Sequence, residues 1–266
     1  RYMPEYRAIR KKYTLLEICH QPELAAEVTM QPVHALGVDA AILFADILLP
    51  VIPLGLGLEF SSGEGPLIGK PVRTLEDVQA LPPVDAETEL GYVMQAIRIL
   101  RGELKDTPLI GFCGAPFTVA SYIIEGGSSR EFLKTKTMMY SAPDVFHALM
   151  DKLADVFSDY LTAQIRAGAQ AVQVFDSWIG ALDEADYREF VFAAGMLNDE
   201  DPVTFWKAED ARQRKVVDWL KGRDQAVLKG DNLDLKMSIK GRTFIPCAGH
   251  ENFPDGEIFT GPVEDS

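Results

Sequence analysis

The chain has 266 residues, 47% apolar and 25% charged, the balance of a globular protein with a sizeable core, and its formal net charge of −14 argues against a nucleic-acid or anionic-membrane surface while leaving room for local basic clusters. Its three cysteines, Cys19, Cys113 and Cys247, are widely separated, which excludes a disulfide framework and a thiolate zinc site. The longest apolar stretch, residues 40–57, is broken by Asp46, Pro50 and Pro53, so no membrane span is expected.

In chain order, Pro22–Leu36 is rich in Ala, Glu, Leu and Val and precedes Gly37, which predicts a glycine-capped helix that Pro32 must kink or divide. The apolar run at residues 40–46 lacks alternation, as a strand buried on both faces should. Residues 55–68 predict a hairpin or long loop turning at Ser62-Gly63-Glu64-Gly65. Gly55 and Gly57 fall short of a dinucleotide fingerprint, because Phe60 stands at the third glycine position and no helix follows. Leu90, Val93, Met94, Ile97, Leu100 and Leu104 form one helical stripe, followed by a second strand at residues 109–113 in which Cys113 reads as a buried, inert thiol. A further stripe (Val145, Leu149, Leu153, Val156, Phe157, Leu161, Ile165) marks Pro143–Ala167 as a helix, closed by Gly168 before a strand at Ala171–Phe175. Strand, helix, strand, helix, strand predicts an α/β fold with a parallel sheet and right-handed crossovers.

After Phe192 the pattern changes. Asp201-Pro202 predicts the start of a helix over residues 201–220, and Leu233, Leu235, Met237 and Ile239 alternate with polar residues as a half-buried strand of an antiparallel sheet should. Two units follow from this change, 1–192 and 193–266, the second a small α+β segment with antiparallel-type strands.

Asp46, Tyr122 and Ser177 stand at or just beyond the C-terminal ends of predicted strands, where parallel α/β barrels collect their chemistry. Singly, each also reads as an ordinary residue: a loop cap, a helix-packing tyrosine and a turn former. In combination they gain specificity. The run Arg1-Tyr2-Met3-Pro4-Glu5-Tyr6-Arg7, with Pro22-Glu23-Leu24-Ala25, Leu43-Phe44-Ala45-Asp46-Ile47, Gly114-Ala115-Pro116-Phe117-Thr118 through Tyr122 to Glu125-Gly126-Gly127, and Val174-Phe175-Asp176-Ser177, resembles the uroporphyrinogen decarboxylase family from residue 1 to about 191.

That resemblance implies a TIM-type (β/α) barrel, a cytoplasmic homodimer, and decarboxylation of uroporphyrinogen acetate side chains to give coproporphyrinogen in haem biosynthesis, with no cofactor. Carried over by motif, Asp46 holds the pyrrole N–H groups and stabilises the protonated ring, Tyr122 and Ser177 bind substrate carboxylates, and Arg1 and Arg10 pair with further carboxylates. A polycarboxylate tetrapyrrole requires guanidinium forks, and a protonated pyrrole a nearby anion. The chain starts at Arg1 without an initiator Met and stops at Ser266, so both ends are read as truncated. Only part of the barrel is therefore expected, and the decarboxylase is expected to be impaired or inactive.

Residues 241–246 and 252–262, from Gly241-Arg242-Thr243 to Phe259-Thr260-Gly261-Pro262, resemble instead the thermophilic metalloaminopeptidase family of the aminopeptidase S and T type. There Glu257 is implied as the first ligand of a divalent metal pair that activates water against a peptide N-terminus. His250-Glu251 has no second His four residues on, so the zincin signature fails and His250 reads as a loop residue. The join near residue 192 reads as an accidental fusion. A hydrolase fragment and a non-catalytic fusion fragment are the alternatives to the decarboxylase.

Overall fold

The computed structural model describes residues 3–61, 65–192, 237–239 and 242–244. Helices α1 (Pro4–Arg10), α2 (Leu15–Cys19) and α3 (Pro22–Leu36) lead into strand β1 (Ala41–Ile42). A hairpin of β2 (Leu58–Ser61) and β3 (Gly65–Ile68) follows, then α4 (Leu75–Gln79), α5 (Ala86–Glu89), α6 (Gly91–Glu103) and strand β4 (Leu109–Gly114). The second crossover comprises α7 (Pro116–Glu125), α8 (Leu133–Ser141) and α9 (Pro143–Ala167) and delivers β5 (Ala171–Phe175). A short α10 (Glu184–Asp186) and one π-turn, Tyr187–Phe192, come next.

β1, β4 and β5 form a parallel sheet in that order, with Ala41 opposite Leu109 and Ile110 opposite Ala171. Three sequential parallel strands linked by helices are an arc of a (β/α) barrel, incomplete among the described residues. β1 and β5 are its edges. Ile42, Val174 and Phe175 there are 54%, 44% and 37% exposed.

The helical stripes form the core. Leu90, Val93, Met94, Ile97, Leu100 and Leu104 are all buried, and so are Val145, Leu149, Leu153, Val156, Phe157 and Ile165 of α9, with Leu161 packed against them. Each such side chain contributes about 1.5–3 kcal/mol of burial free energy. The stripe over residues 86–104 is nevertheless two helices. Asp85 caps α5 by accepting from the amides of Glu87 and Thr88, and the chain leaves helical geometry at Leu90 (φ −110°, ψ 23°) before α6 starts at Gly91. Conversely, α3 is one element through Pro32, which removes a single donor near the helix end, and Gly37 caps it with φ 63°.

The strand predicted over residues 40–46 is only two residues long. Leu43 N–H still donates to Ile110 O at 3.0 Å, but Phe44 N–H turns to the buried Thr29 Oγ1 at 2.8 Å. On β4, the backbone groups of Phe112 lie past the end of β1. Gln164 of α9 fills that gap: its Oε1 accepts from Phe112 N at 2.9 Å and its Nε2 donates to Phe112 O at 2.8 Å. Gly111 makes room for this, since a Cβ there would sit 2.3 Å from Gln164 Oε1.

Beyond residue 192, β6 (Met237–Ile239) pairs antiparallel with β7 (Arg242–Phe244), the pairing type expected for this stretch. The helix predicted over residues 201–220 lies outside the described residues, as does His250. Cys19 and Cys113 are buried free thiols; burial pushes Cys19 up to about 12 and Cys113 further, so both are inert. No described helix is long and apolar enough to cross a membrane.

Candidate functional site

β1 and the loop after it deliver Asp46. Thr29, which donates to Ala25 O at 2.8 Å, anchors Phe44, and two residues later the Asp46 carboxylate accepts from Leu48 N at 2.9 Å, closing the turn that starts the 3₁₀ segment Leu49–Val51. Asp46 is thus a loop cap and, half-buried, also part of the wall of a cleft of about 1160 Å³.

Tyr122 enters the same cleft from α7. Pro116 fixes the first turn of this helix and Gly126, at φ 88°, ends it. The Tyr122 ring packs on Trp178 with centroids 3.9 Å apart and planes 30° apart, and Phe132 meets the indole edge-on at 5.0 Å. Burial raises the Tyr122 hydroxyl pKa above its ordinary value, a hydrogen bond with Ser128 opposes this, and the Asp46 charge adds to it. Asp46 and Tyr122 are therefore electrostatic neighbours across one wall.

The lip is cationic. Arg7 and Arg10 of α1, with Lys11 and Lys12 after it, line the cleft, and among the described residues the acids lining it are Glu17 and Asp46. Among the described residues none of these four cations forms an ion pair; the pairs present join Glu87 to Arg98 and Arg166, and Glu184 to Arg188. Arg10 commits one donor to Tyr13 O, at 2.7 Å. Arg7 and Lys11 stand four residues apart on or beside one short helix, an arrangement that costs a few tenths of a kcal/mol (~0.2–0.5) unless an anion relieves it. A chain of net charge −14 thus concentrates positive charge at one cleft. Phe60, Pro66 and Phe112 add apolar surface. This arrangement can bind a polyanion and set one carboxylate against a developing positive charge.

Of the sequence-predicted residues, Asp46, Tyr122 and Arg10 come together in this cleft. Ser177 is exposed just past the end of β5 and is not among the cleft residues, while Arg1 and Glu257 lie outside the described residues. Sequence reasoning did not single out Arg7, Lys11, Lys12 or Asp176. The i, i+3, i+4 spacing of Arg7, Arg10 and Lys11 was the available signal for the first two.

Residues 1–195 match the uroporphyrinogen decarboxylase family model, and residues 133–266 match that of a thermophilic metalloprotease, the two overlapping over 133–195. The chain belongs to the uroporphyrinogen decarboxylase family, and its C-terminal part also to the thermophilic metalloprotease family. Among the decarboxylase relatives, that of Carboxydothermus hydrogenoformans is 57% identical over 192 residues, 72% of this chain and 55% of that protein. The Sorangium cellulosum protein is 58% identical over the same share of each chain. That of Bacillus subtilis is 52% identical over 191 residues, 72% of this chain and 54% of its own. The chain thus spans about half the length of these relatives. A methyltransferase from Methanosarcina mazei is a structural neighbour, with TM-score 0.57 and 20% identity over 67% of this chain and 53% of that one; the likeness is one of fold.

Among the described residues no group of three or more His, Cys, Asp or Glu is placed to hold a metal ion.

Proposed function

We propose that the cleft takes the acetate and propionate carboxylates of uroporphyrinogen and that the chain acts as a uroporphyrinogen decarboxylase without a cofactor, as its relatives' name suggests. The supporting observation is the convergence of Asp46 and Tyr122 on a cleft lipped by four cations that form no ion pair among the described residues. In this reading Arg7, Arg10, Lys11 and Lys12 hold substrate carboxylates, with Arg1 and Ser177 adding to them, and the Tyr122 hydroxyl donates to one acetate. A proton added to a pyrrole carbon makes the ring an electron sink. The bond from the methylene to the carboxylate breaks, CO₂ leaves with the bonding electrons passing to the ring, and reprotonation at the methylene gives a methyl group as the ring proton is released. Asp46 is the anion that stabilises the protonated ring. The reading further assigns the protein to haem biosynthesis, as a cytoplasmic homodimer.

Anaerobic incubation with uroporphyrinogen, followed by chromatography of the porphyrin esters, tests this. Partially decarboxylated product, formed more slowly than by a full-length relative, is expected from the wild-type chain and not from Asp46→Asn. No product from the wild type, or equal product from both, contradicts the reading.

A second reading rests on the metalloprotease match over residues 133–266, with Glu257 as a metal ligand. It predicts cobalt- or zinc-dependent release of an N-terminal residue from a chromogenic amide, and metal-independent or absent release removes it.

A further inference from the structure

Thr118 and Tyr122 stand four residues apart on α7 and so share one face of that helix. Both grip Trp178. Thr118 Oγ1, fully buried, accepts from Trp178 N at 3.2 Å, and the Tyr122 ring lies on the indole at 3.9 Å. What fixes the Thr118 hydroxyl is Asp176, whose Oδ1 accepts from Thr118 Oγ1 at 2.6 Å. The carboxylate sits at the first turn of α7, where the Thr118 amide has no partner within the helix and also favours the charged form.

We propose that Asp176 is a positioning residue for the cleft: by orienting the Thr118 hydroxyl it holds Trp178, and Trp178 holds the Tyr122 ring where its hydroxyl meets the ligand. Two features support a role beyond packing. Asp176 directly follows β5, whose last rung pairs Phe175 with Gly114, and so stands at the strand end where barrel chemistry collects. Burial also disfavours its charge, pushing the carboxyl up to about 6, although an asparagine could accept the same bond without that penalty. The stronger, charge-assisted acceptor is in place where a neutral one would destabilise the fold less.

The inference rests on the tetrapyrrole reading, and its test separates the two. The full chain, labelled with 5-fluorotryptophan and assigned through Trp178→Phe, is prepared as wild type, Asp176→Asn, Thr118→Val and each of these with Tyr122→Phe. The ligand is uroporphyrin I, followed by fluorescence quenching. Asp176→Asn is expected to weaken binding about three- to tenfold while raising the urea midpoint at pH 8, opposite signs that a purely structural role would not give. The loss should vanish in the Tyr122→Phe background, and the Trp178 fluorine resonance should shift in both Asp176→Asn and Thr118→Val. An unmoved resonance, or an equal loss with Tyr122→Phe, overturns the proposal. If the wild type binds no uroporphyrin, the Trp178 resonance alone decides the positioning claim, and the substrate reading is decided separately by turnover of uroporphyrinogen.

Discussion

Gln164 and Phe112 exchange two hydrogen bonds, at 2.9 and 2.8 Å, so that a side chain of α9 continues the ladder of β4 where β1 has ended. Both Gln164 and Phe112 are buried, and without Gln164 the Phe112 amide and carbonyl lose these partners. Gln164→Leu is expected to lower stability by about 2–5 kcal/mol, read from urea unfolding followed by circular dichroism. A loss within about 0.5 kcal/mol would show that the pair is dispensable.

Asp176 sets a pH dependence of stability. Its folded pKa, about 6, lies above the ordinary 3.8 because burial disfavours the charge. Between those values the folded state holds a proton that the unfolded chain has released, so this group's contribution falls as pH rises towards 6 and stays at its low value above it. Asp176→Asn should therefore gain about 1–3 kcal/mol on the wild type at pH 8 relative to pH 4. A difference that is flat with pH would contradict the assignment.

Tyr160 is fully buried in α9, and its hydroxyl has no hydrogen-bond partner among the described residues. Removing an unsatisfied hydroxyl while keeping the ring should be neutral or stabilising by up to about 1 kcal/mol. Thermal unfolding of Tyr160→Phe checks this; a clear drop in Tm would mean that the hydroxyl is bonded in solution.

The helical stripes from Leu90 to Leu104 and from Val145 to Ile165 were legible because burial on one face imposes a 3.6-residue period. What escaped depends on partners distant in sequence. The end of β1 is set by Thr29 and Gln164, on α3 and α9, and nothing in residues 40–46 announces them. Asp46 was readable just past a predicted strand, and Tyr122 by resemblance, although it stands well into α7 and not at the end of β4. Asp176 was not singled out, because its partner Thr118 lies far back in the sequence and local reading offers only a residue beside a turn.

The lip of Arg7, Arg10, Lys11 and Lys12 should make binding salt-dependent, since its cations meet ligand carboxylates at a partly exposed surface. In Arg10→Ala/Lys11→Ala both affinity for uroporphyrin I and its response to salt should fall, with folding unchanged by far-ultraviolet circular dichroism.

The most direct measurement is a titration of the wild-type chain and the Arg10→Ala/Lys11→Ala variant with uroporphyrin I at low salt. Saturable binding by the wild type, weakened about tenfold or more in the variant, is the predicted result. Equal affinities, or no binding by the wild type, would contradict a cleft built for a polycarboxylate tetrapyrrole.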